Sequence, residues 1–479
     1  MNTEIKKRLT QLYTKWCGAK ISHIAQMSAH GSDRKYFRIY GENGESVIGV
    51  QNDDKRENTA FLTFSKQFRE HNIPVPQIYA EDTAKGIYLE EDLGDTTLFD
   101  YLTEIRRGGD FPEKLVRIYE NVIEKLPDLQ ITAGRKLNFD VCYPRPSFDK
   151  QSMMWDLNYF KYYFLKLAKI PFDEQYLEND FHKFTDFLLS AERDFFLFRD
   201  FQSRNIMLLN DEPYFIDYQG GRRGALQYDV ASLLFDAKAD IPQEIRDHLL
   251  NHYLASLRKI YDFKEEKFMQ FYYGYVFIRI MQALGAYGFR GFYERKEHFL
   301  KSVPFAIRNL ERLLQTAKLP VELPALTEAW WKLVRSSFLR TLGNAKLKLR
   351  LRIQSFSFKR GIPVDETGHG GGFVFDCRAL PNPGRYEQYK NLTGNDKPVI
   401  DFLKSEFVVD QFLLNITRLI DNSIQNYRER NFTDLMISFG CTGGQHRSVY
   451  CANTLAKILE KKFDIDISVR HREQEMKEH

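Results

Sequence analysis

The chain has 479 residues, of which 43% are hydrophobic and 28% charged, a length that predicts two or three domains rather than one core. Its formal net charge of +4 is too small to indicate nucleic-acid binding by itself, and five scattered cysteines without CxxC spacing indicate neither a disulfide framework nor a zinc site. The polar N-terminus and the lack of a long apolar run predict a cytoplasmic protein with no membrane partner.

The N-terminal region predicts a small lobe built on antiparallel strands. Residues 4–17 have the apolar spacing of an amphipathic helix, residues 31–40 form a small polar turn that leads into a strand, and a second strand follows at 46–51. A polar loop between two such strands can place backbone N–H groups over phosphates. An ordinary hairpin is the alternative.

Residues 57–70 predict a core helix with Glu57 in its first turn. Glu57 is either an acid that stabilises the helix start or the partner of a basic residue that binds phosphates. The usual strand lysine for that pairing is absent, and only Lys55 and Arg56 lie nearby. Residues 86–95 form an apolar strand that ends in acids, which is either a hinge between two lobes facing an adenine edge or an edge strand before a turn.

The stretch from 198 to 219 carries the clearest chemical pattern. Asp200 is followed five residues later by Asn205, and Asp217 ends a short apolar run. This order suits phosphoryl transfer: one carboxylate receives the proton of an incoming hydroxyl, while the amide and the second carboxylate hold Mg²⁺ against nucleotide phosphates. Three ordinary polar residues are the alternative. Asp229 opens a later helix, either as a simple helix acid or as a buried brace for the loop.

With these motifs in place, residues 1 to about 340 resemble the aminoglycoside phosphotransferase and choline kinase-like family, nearest the anomeric kinases for N-acetylmuramate and N-acetylglucosamine. The resemblance is carried by 33–38, 199–201, 216–219 and 228–234. It implies an α+β two-lobed protein-kinase-like fold, with a β-rich N-lobe at 1–95 and a helical C-lobe at 96–342. It also implies ATP and Mg²⁺ as cofactors, an amino sugar as substrate, and a role in peptidoglycan recycling.

The same resemblance assigns roles to individual residues. Asp200 is the expected catalytic base, Asn205 and Asp217 the Mg²⁺ ligands, and Asp229 a structural residue. Gln202 stands where the sugar-kinase subgroup often has histidine. The residues expected at the acceptor are Arg199, Gln202 and Gln219, and those expected at the nucleotide are Ser32, Asp33, Arg34, Lys35, Tyr36, Glu57, Glu91 and Leu93.

A separate small α/β domain is predicted at 354–479, after a basic linker or first strand at 343–353. In that strand basic residues alternate with apolar ones, which suits RNA phosphates but is also typical of a solvated face; these residues are Lys346, Lys348, Arg350 and Arg352. Residues 440–448 follow an apolar strand and open a helix, so their N–H groups predict an anion site. Cys441 and Arg447 also have the C-x5-R spacing of cysteine phosphatases, a second interpretation.

Four clusters, at 357–361, 376–383, 392–398 and 440–448, resemble in this order the C-terminal domain of the RapZ family across about 348–473. The resemblance implies binding of a hexosamine phosphate, glucosamine-6-phosphate, and of a small RNA. It assigns the sugar phosphate to Lys359, Arg360, Arg378, Thr442, Gly443, Gly444, His446 and Arg447. We therefore predict an amino-sugar kinase fused to a sugar-phosphate-sensing domain. The alternatives are a non-catalytic adaptor that binds RNA or a protein, and a kinase for another small alcohol.

Overall fold

The structure, a computed structural model, describes residues 2–27, 34–106, 111–342, 349–365, 371–430, 432, 434–463 and 465–475. It divides into two compact units. The first consists of Met1–Gly288 and Ser302–Leu342, and the second of Phe289–Lys301 and Gly343–His479. The second unit thus takes a segment from within the region that the sequence assigns to the C-lobe.

The first unit begins with helix α1 (Asn2–Cys17) and a five-stranded antiparallel sheet. The strands, in the order β1-β2-β3-β5-β4, are β1 (Ile21–Gln26), β2 (Lys35–Gly41), β3 (Ser46–Gln51), β4 (Ile78–Asp82) and β5 (Ile87–Glu91), and α2 (Lys55–Glu70) joins β3 to β4. Phe37, Ile39 and Leu89 pack on α1 from one sheet face. Side chains alternate along a strand, so Tyr36 and Glu90 lie on the opposite face.

The rest of this unit is mainly helical. Its helices are α3 (Leu98–Ile105), α4 (Glu113–Pro127), α5 (Lys150–Phe160), α6 (Glu174–Leu189), α7 (Gln227–Leu234), α8 (Gln243–Arg258), α9 (Glu265–Tyr287), α11 (Val303–Thr316), α12 (Pro324–Arg335) and α13 (Ser337–Thr341), while α10 (Glu297–Leu300) belongs to the second unit. Two antiparallel ribbons pair β6 (Phe195–Leu197) with β9 (Arg222–Gly224) and β7 (Ile206–Leu209) with β8 (Glu212–Phe215). The predicted two-lobed fold, with a β-rich N-lobe and a helical C-lobe, is confirmed.

The second unit is built on a four-stranded parallel sheet, which confirms the predicted α/β architecture. Its strands, in the order β11-β12-β10-β13, are β10 (Arg350–Ser357), β11 (Gly372–Asp376), β12 (Asp434–Cys441) and β13 (Asp466–His471). Its further helices are α14 (Lys397–Ser405), α15 (Phe407–Glu429), α16 (Arg447–Lys462) and α17 (Arg472–Glu475). Extended backbone at Glu406 separates α14 from α15.

Among the helices that the structure describes, none combines the length and apolar character needed to cross a bilayer.

Candidate active site and anion site

The loop at 198–205, which we call the catalytic loop, connects β6 to β7 and is held by Asp229 of α7. The Asp229 carboxylate accepts the backbone N–H groups of Phe198 at 2.9 Å and Arg199 at 3.1 Å, and the side-chain amide of Gln130 at 3.1 Å. Asp229 is fully buried, and this burial raises its pKa to about 7 although the donors act in the opposite direction. Its contacts are those of a buried brace rather than of a simple helix acid.

Asp200 projects from this loop with 40% of its side chain exposed, and Arg279 Nη2 of α9 lies 3.6 Å from Asp200 Oδ1. Arg279 is buried, and its Nε donates to Ser232 Oγ at 2.8 Å. An accessible carboxylate that is held beside a fixed cation has the position required to receive a proton from a bound alcohol.

The structure brings Asn205 and Asp217 next to Asp200. Asn205 Nδ2 donates to the Asp200 carbonyl at 2.9 Å and to Asp217 Oδ2 at 3.4 Å, so the Asn205 side-chain oxygen remains an acceptor. Asp217 has left-handed backbone, with φ of 69°, and its Oδ1 accepts from Gln219 Nε2 at 2.7 Å. Although the side chain is accessible to solvent, the surrounding protein raises the Asp217 pKa by burial, and the nearby Asp200 charge adds to the effect.

These two side chains fit a Mg²⁺ ion. Carboxylate and amide oxygens are the ligands that a hard divalent cation takes, and Mg²⁺ commonly completes its coordination with phosphate oxygens and water. In the ranges the structure describes, no group of three His, Cys, Asp or Glu side chains could hold a metal ion by itself. A nucleotide would therefore have to supply part of the coordination.

Glu57 of α2 faces Arg34, which immediately precedes β2. Arg34 Nη2 lies 3.5 Å from Glu57 Oε1, while Asn52 Nδ2 donates to Glu57 Oε2 at 2.8 Å. The neighbouring basic residues Lys55 and Arg56 are exposed, and the helix is capped by Asp54. The basic partner of Glu57 is therefore not one of its sequence neighbours but Arg34, which lies just before β2.

The other residues predicted at the nucleotide lie in different environments. Ser32 and Asp33 lie outside the described residues, and Lys35 and Tyr36 are half-buried at the start of β2. Glu91 ends β5 and exchanges hydrogen bonds with Gln77: the Glu91 N–H donates to the Gln77 carbonyl at 2.9 Å, and its carboxylate accepts the Gln77 N–H at 3.1 Å. Leu93 is buried just beyond the strand.

Glu90 is a residue that the sequence reasoning missed. It is only 8% exposed, its Oε2 has no hydrogen-bond partner in the described structure, and burial raises its pKa to about 8, with Arg34 acting in the opposite direction. The sequence signal that could have revealed this residue is a carboxyl side chain directly after the apolar residues of β5, where burial is expected.

Of the residues predicted at the acceptor, Arg199 is the most strongly held. It has a left-handed φ of 85°, and its guanidinium donates to Asp156 Oδ1 at 2.5 Å and to the Tyr228 hydroxyl at 3.0 Å. Gln202 is half-buried and offers its carbonyl to the Asn205 N–H at 2.9 Å, and Gln219 contacts Asp217 as described above. Neither Asp156 nor Arg279 was expected at the site, because each comes from a distant helix.

The predicted clusters of the second unit meet at one edge of its sheet. All four strands are parallel, so their C-terminal ends lie together, which is where ligands of open α/β sheets bind. Residues 357–361 follow β10, 376–383 follow β11, and 440–448 follow β12. The fourth cluster joins them through the Gly394 N–H, which donates to the Gln445 carbonyl at 2.9 Å.

The anion loop, residues 441–446, leads into α16 and has open space at Gly443. A Cβ added to Gly443 would meet no atom within 4 Å, whereas one added to Gly444 would lie 2.3 Å from Glu473 Cγ. Gly444 also has a left-handed φ of 65°. Thr442 and Lys359 are exposed at the same edge. Open backbone at a helix N-terminus is the usual arrangement for binding phosphate.

Several charged residues expected at this site are engaged within the protein. The buried Arg447 guanidinium donates to the carbonyls of Arg378 at 2.8 Å and Leu380 at 3.0 Å, and His446 Nε2 lies 2.9 Å from the Tyr389 carbonyl oxygen. Two further ion pairs join Arg378 to Asp376 at 2.7 Å and Arg360 to Glu473 at 3.1 Å. The backbone of the loop is therefore more available to an anion than these side chains.

The cysteine phosphatase interpretation is disfavoured by the position of Cys441. Its thiol is buried and lies 3.2 Å from Ser448 Oγ, while Arg447 is directed to main-chain carbonyls. The basic face of β10 is also partly neutralised, because Arg352 forms ion pairs with Asp434 at 2.6 Å and Asp365 at 2.8 Å. Lys346 and Lys348 lie outside the described residues.

Comparisons with known proteins match two separate parts of the chain to two different families. The Phosphotransferase enzyme family matches residues 23–266, and the RapZ C-terminal domain matches residues 349–475. The chain is 43% identical over 134 residues to a nucleotide-binding protein of Alteromonas mediterranea, a match that covers 28% of this chain and 46% of that protein. A nucleotide-binding protein of Idiomarina loihiensis is 39% identical over 160 residues, covering 31% of this chain and 54% of the relative. The chain thus spans about half the length of these curated relatives.

Solved structures similar to this chain include an ethanolamine kinase of Plasmodium vivax, with a TM-score of 0.44 and 14% identity over 60% of this chain and 82% of that one. The choline kinase LicA of Streptococcus pneumoniae has a TM-score of 0.43 and 14% identity, covering 64% of this chain and 99% of its own.

Proposed function

This chain belongs to the Phosphotransferase enzyme family, and from that premise we propose that it transfers the γ-phosphoryl group of ATP to a hydroxyl of an amino sugar. The observation that carries the proposal is the grouping of three side chains: Asp200 and Asn205 lie on the catalytic loop that Asp229 braces, and Asp217, which follows β8, lies next to Asn205. The acceptor class follows the resemblance to N-acetylmuramate and N-acetylglucosamine kinases, with the anomeric hydroxyl as the expected position.

The reaction assigns a task to each residue. The acceptor hydroxyl gives its proton to Asp200, its oxygen forms a bond to the γ-phosphorus, and the bond from that phosphorus to the β–γ bridging oxygen breaks to release ADP. Mg²⁺, when bound, offsets the negative charge of the transferred group. Asn205 and Asp217 would hold the ion, and Arg34, oriented by Glu57, would bind the phosphates of the nucleotide.

We further propose that the second unit binds a hexosamine phosphate at the anion loop and thereby senses a product or pathway metabolite. Support comes from the open backbone at Gly443 at the start of α16. Regulation predicts that the kinase rate changes when a hexosamine phosphate occupies this loop. Equal rates with and without glucosamine-6-phosphate, at concentrations that calorimetry shows to bind, would remove the regulatory part of the proposal.

The proposed transfer is tested by incubating the full chain with ATP, Mg²⁺ and a panel of N-acetylated hexosamines, read by phosphorus NMR. A new sugar phosphate resonance is expected from the wild type and not from Asp200→Asn, and its coupling identifies the phosphorylated carbon. The same panel includes choline and an aminoglycoside, because a kinase for another alcohol predicts turnover there instead. Absence of Asp200-dependent turnover with every acceptor favours the non-catalytic adaptor.

A further inference from the structure

Three arginines from different elements lie around the catalytic loop. Arg199 belongs to the loop, Arg222 begins β9, and Arg279 lies on α9. Arg222 and Arg279 are each 7% exposed, and the Arg199 side chain is 13% exposed. Arg222 is paired with Leu197 in the β6–β9 ribbon, one residue before the loop begins, so the sheet fixes its position beside the loop.

Two of these arginines have a carboxylate partner. Arg199 donates to Asp156 at 2.5 Å, and Arg279 lies 3.6 Å from Asp200. Arg222 differs: its Nε donates to the Gly220 carbonyl at 3.0 Å, and no carboxylate in the described part of the chain comes within 4 Å of its guanidinium. Burial and the positive charge of Arg199 lower the pKa of Arg222 to about 10. A buried guanidinium without a counter-charge is costly unless an anion compensates it.

Unused hydrogen-bond acceptors accompany this cation. Asp156 Oδ2 and Gln219 Oε1 are buried and have no hydrogen-bond partner among the described residues. The Asp156 charge acts on Arg222, and Gln219 lies three residues before it and contacts Asp217. The surroundings of the catalytic loop therefore contain one buried cation that forms no ion pair among the described residues, together with oxygens that can accept hydrogen bonds from hydroxyl groups.

We propose that the acceptor alcohol carries an anionic group, a carboxylate or a phosphate, and that Arg222 binds it beside the catalytic loop. The inference rests on the proposed function and narrows its substrate class. A guanidinium presents paired N–H donors that match either anion. A cationic acceptor would instead meet the charges of Arg222 and Arg279, which disfavours amines such as choline. Two acidic residues beside the loop already have cationic partners, because Asp156 pairs with Arg199 and Asp200 lies beside Arg279.

The experiment compares acceptors that differ in one group. N-acetylmuramate is N-acetylglucosamine with an added lactyl carboxylate, and N-acetylglucosamine 6-phosphate adds a phosphate to the same skeleton. We would measure kcat and KM for all three with the wild type, Arg222→Gln, Arg222→Lys and the control Arg223→Gln. Arg223 is the matched control because it is the adjacent arginine, its side chain is 46% exposed, and it already pairs with Asp194 at 2.5 Å.

The wild type is expected to prefer one anionic acceptor over the neutral sugar by at least about tenfold in kcat/KM, the effect of one charge-assisted contact. Arg222→Gln is expected to lose that preference, mainly through a higher KM for the anionic acceptors. Arg222→Lys should retain part of the preference, and Arg223→Gln all of it. Which anionic sugar is preferred distinguishes a carboxylate from a phosphate.

Two results would overturn the inference: a wild-type preference for the neutral sugar, or an equal loss for all acceptors in folded Arg222→Gln. Turnover of neutral acceptors alone contradicts an anionic acceptor but leaves the proposed function intact. If no acceptor is phosphorylated, the proposed function fails. The thermal shift that each sugar causes in the presence of a non-hydrolysable ATP analogue then tests whether Arg222 binds an anionic group. A thermal shift that anionic sugars cause in Arg223→Gln but not in Arg222→Gln supports binding of the anion by Arg222. Equal shifts in the two variants contradict it.

Discussion

The catalytic loop and the anion loop both have the features of phosphate-handling sites, yet they use different atoms. At the catalytic loop the working groups are side chains, Asp200 and Asn205 of the loop and the adjacent Asp217, and the loop backbone is held by Asp229. In the anion loop the backbone is open at Gly443, while His446 and Arg447 make contacts with main-chain carbonyls. The first site should therefore be sensitive to changes of charge, and the second to changes of backbone space.

The largest effect is expected at the catalytic loop. Asp200→Asn keeps the size of the side chain but removes the proton acceptor, so kcat should fall by about 10²–10⁴-fold while nucleotide binding is retained. Turnover by phosphorus NMR and titration with a fluorescent nucleotide measure the two quantities. Asp211→Asn is the matched control, because Asp211 has a left-handed φ of 65° in the β7–β8 turn and asparagine tolerates that backbone. Near wild-type turnover by Asp200→Asn would contradict the role of side-chain charge.

The next effect concerns the Arg34–Glu57 pair. Arg34→Gln removes a buried cation and leaves Glu57 without its partner, so KM for ATP should rise by about 10–100-fold. Glu57→Gln should give a similar change, and the double variant should be less impaired than the sum of the two, as for residues in contact. Arg56→Gln is the control, since Arg56 is exposed on α2. Initial rates at varied ATP test this, and additive losses would show that the pair does not act together.

A smaller effect separates the two glycines of the anion loop. The methyl group added by Gly443→Ala would lie in open space, so the free energy of unfolding should change by less than about 0.5 kcal/mol. The same methyl group should obstruct the anion and weaken the binding of glucosamine-6-phosphate. Gly444→Ala should destabilise the second unit by about 1 kcal/mol or more, because the position has a left-handed φ and Glu473 Cγ crowds the added carbon. Calorimetric unfolding and titration distinguish these outcomes. Unchanged binding by Gly443→Ala would place the anion elsewhere.

The last prediction concerns stability alone and tests the buried carboxyl group of Glu90 on β5. Glu90 has its pKa raised by burial to about 8 from the ordinary value of 4.5, so the folded protein keeps a proton that the unfolded chain releases. Stability should therefore fall as pH rises from 4.5 to 8, with a slope of up to about 1.4 kcal/mol per pH unit from this group. Glu90→Gln should flatten that part of the profile. Urea unfolding at several pH values measures it, and parallel wild-type and variant profiles would contradict the assignment.

The architecture was largely predictable from local patterns. Apolar periodicity indicated α1 and α2, and turn residues indicated the strands of the N-lobe. The grouping of Asp200, Asn205 and Asp217 follows from a short hairpin, in which the Ile216 N–H donates to the Asn205 carbonyl at 3.0 Å and brings sequence neighbours together. Local spacing therefore carried enough information to find the central groups.

The contacts that join distant elements at the site were not predictable in this way, even for Arg34, which the resemblance named as a nucleotide residue without its pairing to Glu57. Arg34, Asp156 and Arg279 lie on separate elements, and only packing of the whole unit brings them to Glu57, Arg199 and Asp200. The engagement of Arg447 with main-chain carbonyls likewise depends on the loop after β11. A single sequence shows the type of such a side chain, but it does not show whether a neighbouring group already forms a hydrogen bond or an ion pair with it.

The placement of Phe289–Lys301 in the second unit has a consequence for dissecting this protein. Arg295 in that segment pairs with Asp466 of β13 at 3.4 Å, and its side chain is 8% exposed. The chain leaves the first unit after Gly288 and re-enters it at Ser302, so the units are joined by three covalent crossings rather than one. A truncation after Leu342 would remove Asp466 and leave Arg295 without this partner. Isolated fragments cut at that point would each lack native contacts, so domain function is better separated by point substitutions in the full chain.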